Sequence, residues 1–176
     1  MSTQALTDEF IRVSRHELRQ RLLRIEYCLE KLTLEQIWSR EHEIENSVGN
    51  LVLHLCGNIR QWIISGVAGA ADNRDRDAEF SRREPMGAGE LAKRLRETVE
   101  EASEILAELT PGELLGKRKI QVYHLTVLNA VYHVVEHFGE HTGQIMCATK
   151  RMLGEDLNFY GYLKDASLAS KGNRLP

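Results

Sequence analysis

The sequence predicts an all-α protein: a four-helix bundle of up-down-down-up topology, with a long crossover between its second and third helices. Three observations carry this. Prolines are rare, and Pro85, Pro111 and Pro176 each fall outside a periodic segment. Apolar residues recur at helical spacing over four long stretches. Strictly alternating β-branched runs are short, and tight hairpin dipeptides such as Asn-Gly are absent.

The first helix is expected over residues 3–32, where Phe10, Val13, Leu18, Leu22, Ile25 and Leu29 fall near helical spacing. Residues 33–45 read as a connector with at most a short helical turn. Asn46 or Ser47 suits the N-cap of the second helix, because a short polar side chain there accepts from an unpaired backbone N–H. That helix presents Leu51, His54, Leu55, Asn58 and Trp62, and Gly66 and Gly69 mark its end. Residues 70–86, AADNRDRDAEFSRREPM, form a charged loop long enough to let the second and third helices run parallel. The third helix starts near Gly87 and stops before Pro111, with Leu91, Leu95, Val99, Ala102, Ile105 and Leu109 on one face. The fourth is expected from about Tyr123 to Leu153, with Gly154 as its stop signal. The bundle domain is thus 1–155, and residues 156–176 form a tail expected to cover one bundle end.

A chain of 176 residues suits one domain. At that size it buries roughly 70% of the surface of its unfolded form and needs no disulfide. Hydrophobic residues make up 42% and charged residues 28%, as in ordinary globular proteins. With 23 basic and 26 acidic residues the net charge is −3, which gives no excess positive field for nucleic acid. Arg74, Arg76, Arg82 and Arg83 are interleaved with Asp72, Asp75, Asp77, Glu79 and Glu84. The most apolar stretch, 51–71, carries His54, Asn58, Arg60 and Gln61, which argues against a membrane span. Cys28, Cys56 and Cys147 are odd in number, widely spaced and without CxxC. They read as reduced core thiols of a cytoplasmic protein, and no signal peptide opens the chain.

The histidines carry the chemistry. His133, His137 and His141 recur every four residues on one helix face. Two imidazoles at i and i+4 can reach one metal ion, as in HExxH motifs, although HFGEH lacks that motif's glutamate. His54 lies among Leu51, Leu53 and Leu55, and an unpaired ring buried there would cost roughly 1–3 kcal/mol. A metal shared with His137 and His141 would give it a partner. Three imidazoles would leave a fourth position open, the pattern of catalytic sites. Spacing alone also allows a solvated or core-satisfied pair. His133 reads as a surface or supporting residue, and His16, His42 and His124 show no partner pattern.

The run NSVGNLVLHLCGNIRQWI, residues 46–63, resembles the second helix of the DinB superfamily of DinB/YfiT-like metalloenzymes. HVVEHFGEHTGQI, residues 133–145, resembles its last helix, and RDRDAEF and LNFY resemble one branch of that superfamily. The resemblance implies a four-helix bundle with a three-histidine metal site, mapped onto His54, His137 and His141, with Gln144 at the family's glutamine position. Thr142 stands where an arginine is common. It further implies a divalent ion (zinc, nickel or iron), a small-molecule substrate, a homodimer, and transfer of a low-molecular-weight thiol to an electrophile. Trp62, Ile63, Ile64 and Val67 add an apolar surface wider than one core face requires, which either a second copy or the third helix and the tail would cover. Glu136, Glu140, Asn58 and Gln144 are candidates for orienting the ligand rings. A metal-dependent hydrolase and a non-catalytic metal-binding stress-response module are the alternatives. No individual catalytic residue is singled out.

Overall fold

The computed structural model describes residues 2–161; what the sequence suggests for 162–176 lies outside the described residues. Helix α1, Thr3–Lys31, starts on Ser2, whose side chain accepts from the Ala5 N–H. A single helical turn, α2, spans Leu34–Trp38 in the expected connector, held by a capping box between Thr33 and Gln36. Ser47 rather than Asn46 caps α3, Val48–Ile59, and accepts from Asn50 N–H at 3.2 Å. The chain continues as a π-helical turn, Arg60–Ser65. Helix α5 spans Ala88–Ala107 and α6 is a short turn at Pro111–Leu115. Helix α7 spans Val127–Leu153 and ends on Gly154, whose φ of +68° suits a residue without Cβ.

The fold is all-α in its framework. Helix α1 packs against α5 and α7, and α3 packs against the same two helices. Their shared interior is apolar: Leu18 and Ile25 of α1, Leu55 of α3, Leu95 of α5, and Phe138 and Ile145 of α7 are fully buried. The apolar run at the end of the second helix faces inward as well. Trp62, Ile63, Ile64 and Val67 are all buried, in a segment that packs on α5 and α7. That run is therefore covered within one chain and does not call for a partner.

Two expectations are corrected. The fourth helix begins at Val127, not Tyr123, because an antiparallel hairpin precedes it: β1, Lys117–Ile120, pairs with β2, Tyr123–Thr126. Its turn places Gln121 at φ +54° with no glycine or asparagine, so the usual hairpin signal is missing. Gly66 caps the end of the second helix, as expected. It keeps helical dihedrals, and a Cβ there would collide with the Ile120 side chain, so it is the seat of the hairpin. Gly69, at φ +82°, takes the left-handed position. Finally, the charged loop holds a helix of its own, α4, Arg76–Ser81, capped by Asp75. Cys28 and Cys56 are buried or half-buried as expected, whereas Cys147 is exposed. In the described part of the tail, Leu157 is buried, and Phe159 stands edge-on to Tyr27 of α1 at 5.3 Å.

Candidate metal centre

Helices α3 and α7 face one another through polar residues set in apolar stripes. On α3, His54 follows Leu51 and precedes Leu55, both buried. On α7, His137 sits between the buried Val134 and Phe138. Spacing of four then stacks His133, His137 and His141 along the α3-facing side.

The structure brings His54, His137 and His141 together. One ring nitrogen from each lies within 4.8 Å of the others. His137 Nε2 is 3.1 Å from His54 Nε2 and 3.1 Å from His141 Nε2. An imidazole nitrogen carries either one proton or one lone pair, so His137 Nε2 can satisfy one of these neighbours but not both. Three donors held tetrahedrally at about 2.0–2.1 Å from one ion would be about 3.3 Å apart, close to what is seen. The donor set and its spacing therefore fit a divalent ion. Among the described residues no cysteine, aspartate, glutamate or further histidine joins this group. His133 is half-buried, stacks on Trp62 at 4.1 Å between ring centroids, and has its Nε2 3.5 Å from Asn58 Nδ2. A second set, Glu41, His42 and Glu45, lies at the surface, where acidic groups commonly cluster without an ion.

The outer nitrogens of the rings are held by other side chains. His141 Nδ1 is 2.9 Å from Gln144 Oε1, one helical turn on. His54 Nδ1 is 2.9 Å from Glu79 Oε2, and Glu79 comes from α4 in the charged loop. An N–H donated to each of these oxygens leaves Nε2 as the lone-pair nitrogen, the arrangement that orients histidine ligands. His137 Nδ1 is buried without a partner among the described residues, as is Asn58 Oδ1.

Glu79 in turn is bound by Arg74, with Nε to Oε1 at 2.7 Å and Nη2 to Oε2 at 2.8 Å. Burial alone would push the Glu79 carboxyl up. The hydrogen bonds and charge of Arg74, with those of His54, outweigh it and hold the group below its ordinary value. Burial, and then the neighbouring rings of His141, His54 and His133, push His137 down to about 3. His141 is lowered chiefly by burial, opposed by Gln144.

Glu79 and Arg74 were not among the sequence candidates. Of those that were, Gln144 touches a ligand-set ring, Asn58 touches His133, and Glu136 and Glu140 are exposed. A usable signal was Gly57, one turn beyond His54. A Cβ there would overlap the Glu79 carboxylate and lie 2.9 Å from Arg74 Nε. Thr142, at the position where an arginine is common, is buried and donates to its own helix at Phe138 O, 2.7 Å away. Neither Cys56, whose thiol burial pushes up to about 12, nor Cys147 joins the histidines.

A cleft of about 450 Å³ opens beside the histidines. His54 and His137 lie in its wall with Trp62, Tyr123, Tyr132 and Arg76. The hairpin thus contributes to the cleft through Tyr123.

Fold and site together define a helical protein with a DinB-like fold and a three-histidine group that could hold a metal ion. The chain belongs to the family described as "Protein of unknown function (DUF1572)", whose model matches residues 5–162. Among solved structures it is similar to a DinB-like protein from Bacillus cereus ATCC 10987, with a TM-score of 0.60 and 18% identity. That match covers 76% of this chain and 86% of the other, and at this identity it establishes the fold. No curated protein matches the chain.

Proposed function

We propose that this chain is a metal-dependent enzyme. In this reading His54, His137 and His141 hold one divalent ion (zinc, nickel or iron), and a low-molecular-weight thiol is transferred to an electrophilic small-molecule substrate. The observation that carries the reading is the convergence of three Nε2 atoms, two of them 3.1 Å from the third, beside a cleft of about 450 Å³. A divalent ion held there would favour the thiolate form of a bound thiol, which is the nucleophile. The protein's own contribution is positional. Glu79 and Gln144 orient two of the rings, and Trp62, Tyr123 and Tyr132 give the cleft flat walls against which a substrate can pack.

The hydrolase alternative needs a free carboxylate near the ion to act as base. The buried carboxylate here is committed to Arg74 and His54, and this favours the transferase reading. The stress-response binding module would gain support from a fourth protein ligand.

We further propose the up-down-down-up order for the four long helices. Its support is that α1 and α3 each pack on both α5 and α7, while residues 66–87 span the distance between α3 and α5. The chain up to residue 155 would then be the bundle, and the described tail residues, 156–161, would lie against its end. Among the described residues no helix is long and apolar enough to cross a membrane. Cytoplasmic residence is supported by three unpaired, widely spaced cysteines. A homodimer rests on the family resemblance, and sedimentation showing only monomer at micromolar concentration would overturn it.

The deciding experiment is metal analysis of the purified protein, followed by a screen of low-molecular-weight thiols against model electrophiles. About one ion per chain and thiol-dependent consumption of an electrophile are expected. Absence of bound metal after loading and dialysis overturns the reading.

A further inference from the structure

We propose that Arg74 and Glu79 form a positioning and charge-balancing unit. Glu79 holds His54 as an Nε2 donor, and Arg74 cancels the carboxylate's charge, so that a bound ion keeps its full positive charge and takes an anionic ligand from the cleft side. The proposal rests on the metal-site reading and goes one step further, to the class of ligand the site prefers.

The hydrogen bonds leave little freedom. His54 Nδ1 lies 2.9 Å from Glu79 Oε2 and 3.1 Å from Arg74 Nη2. An ionised carboxylate only accepts, and Glu79, kept ionised by the Arg74 Nη2 donor 2.8 Å from Oε2, takes an N–H from Nδ1 rather than facing its lone pair. The proton on His54 Nδ1 therefore points to Glu79, and the lone pair sits on Nε2, toward His137. Arg74 has its Nη1 donating to Gln61 Oε1 at 2.9 Å, so Gln61 and the carboxylate between them engage Nη1, Nη2 and Nε. Each of its three nitrogens has an acceptor, with three of its five N–H groups engaged, and the charge of Arg74 balances that of Glu79.

The surroundings are built for this pair. The Arg74 and Glu79 side chains are 5% and 9% exposed, so their charges are weakly screened. Gly57 supplies the notch in α3 that admits both. The strap that carries Glu79 is fixed by Asn50, itself buried, which donates through Nδ2 to Glu79 O at 2.7 Å. Asn50 and Glu79 thus tie the strap to one face of α3, at positions 50 and 54, one turn apart.

Charge decides the consequence. Three neutral imidazoles leave a divalent ion at +2. A lone Glu79 carboxylate one ring away would reduce the local charge to about +1 and disfavour an anion in the open position. With Arg74 in place the pair sums to zero. Glu136 and Glu140 also act on this region, but both are exposed and screened by solvent. A pair present only for packing would predict something different, since buried ion pairs can be replaced by apolar residues at little cost. It would leave anion affinity indifferent to which partner is removed.

The test is azide binding to the cobalt-loaded protein, followed through cobalt absorption, in four proteins: wild type, Arg74→Met, Glu79→Gln and the double variant. Arg74→Met is expected to weaken azide binding by about tenfold, because a buried negative charge is then unbalanced. Glu79→Gln keeps an oxygen acceptor for His54 and is expected to strengthen it. The double variant should return to within about threefold of wild type, a recovery that loss of packing cannot produce. Equal affinities in all four proteins, or a double variant no better than Arg74→Met, overturn the proposal. If Arg74→Met does not fold, Glu79→Gln decides alone: unchanged or weaker azide binding overturns it. A wild-type protein that takes up no cobalt overturns the metal reading itself, an outcome distinct from cobalt uptake with charge-insensitive azide binding.

Discussion

Glu79 accepts a hydrogen bond from His54 at 2.9 Å across 25 positions of sequence, and this contact ties the charged loop to the face of α3 that looks onto α7. A loop that reads as solvated thereby becomes part of the candidate centre. The residues on either side of the contact make separable contributions, and each can be tested.

Removing a ring nitrogen from the three-histidine group should remove most metal binding. His54→Ala, His137→Ala and His141→Ala are each expected to lower affinity by well over tenfold, while His16→Ala and His42→Ala leave it unchanged. Competition with a chromogenic chelator measures this. Full retention of metal by the His54 variant would sink the ligand set.

Much of this site is readable in the sequence, and the rest is not for identifiable reasons. The i, i+4 spacing of His137 and His141 follows from helical geometry, and His54 stands out as a polar residue in an apolar run. Gln144 is one turn from His141 and can be found by the same periodicity. Glu79 has no such periodicity to betray it. Acids and bases alternate through the loop, and which carboxylate turns inward is settled by tertiary contacts with Asn50 and Gly57. The hairpin is hidden because its turn uses Gln121 and Val122, and its anchor, Ile120 over Gly66, joins segments far apart in sequence. Periodicity placed α1 and α5 well because their buried stripes are continuous.

Gly57→Ala should weaken metal binding without touching a ligand. Alanine favours an α-helix by roughly 0.5–1 kcal/mol over glycine, so the helix itself should not suffer. The added Cβ displaces the Arg74–Glu79 pair and with it the acceptor on His54 Nδ1. Loss of such a supporting contact costs about 10–100-fold in metal affinity, and that range is expected here. A variant with unaltered affinity would show that the contact does not support the site.

Acid should destabilise the metal-free protein. His137 is pushed down to about 3, first by burial and then by its neighbouring rings, and burial lowers His141 too. In the unfolded chain both titrate near 6.5. Below about 6.5 the unfolded state therefore binds more protons than the folded one, so stability is present above that pH and falls as pH drops toward about 3. Glu79, also held below its ordinary value, acts in the same direction at lower pH. The Tm of metal-free protein should be lower at pH 5 than at pH 7.5, and an equal or higher Tm at pH 5 contradicts the assignment. Metal retention should follow the same sign, since only neutral imidazole binds an ion.

The transferase reading makes its own demand on proton release. A free thiol with a pKa of about 8.5 is mostly protonated at neutral pH, and coordination to a divalent ion removes that proton. Adding a low-molecular-weight thiol to the loaded protein in weak buffer should release about one proton per site. In cobalt-substituted protein the same addition should bring up a sulfur-to-cobalt charge-transfer band, which imidazole and water do not give. Both signals should vanish in His137→Ala, whose ring nitrogen lies 3.1 Å from both of the others. Hydrolysis predicts a different pattern: cleavage of simple esters with no thiol present, and a titration near neutral pH that thiol does not alter. Glu79 cannot serve that reaction as base while it is bound to Arg74 and His54. Ester cleavage that survives Glu79→Gln would therefore point to another base and favour hydrolysis over transfer. Proton release and the charge-transfer band together, without ester cleavage, would favour transfer.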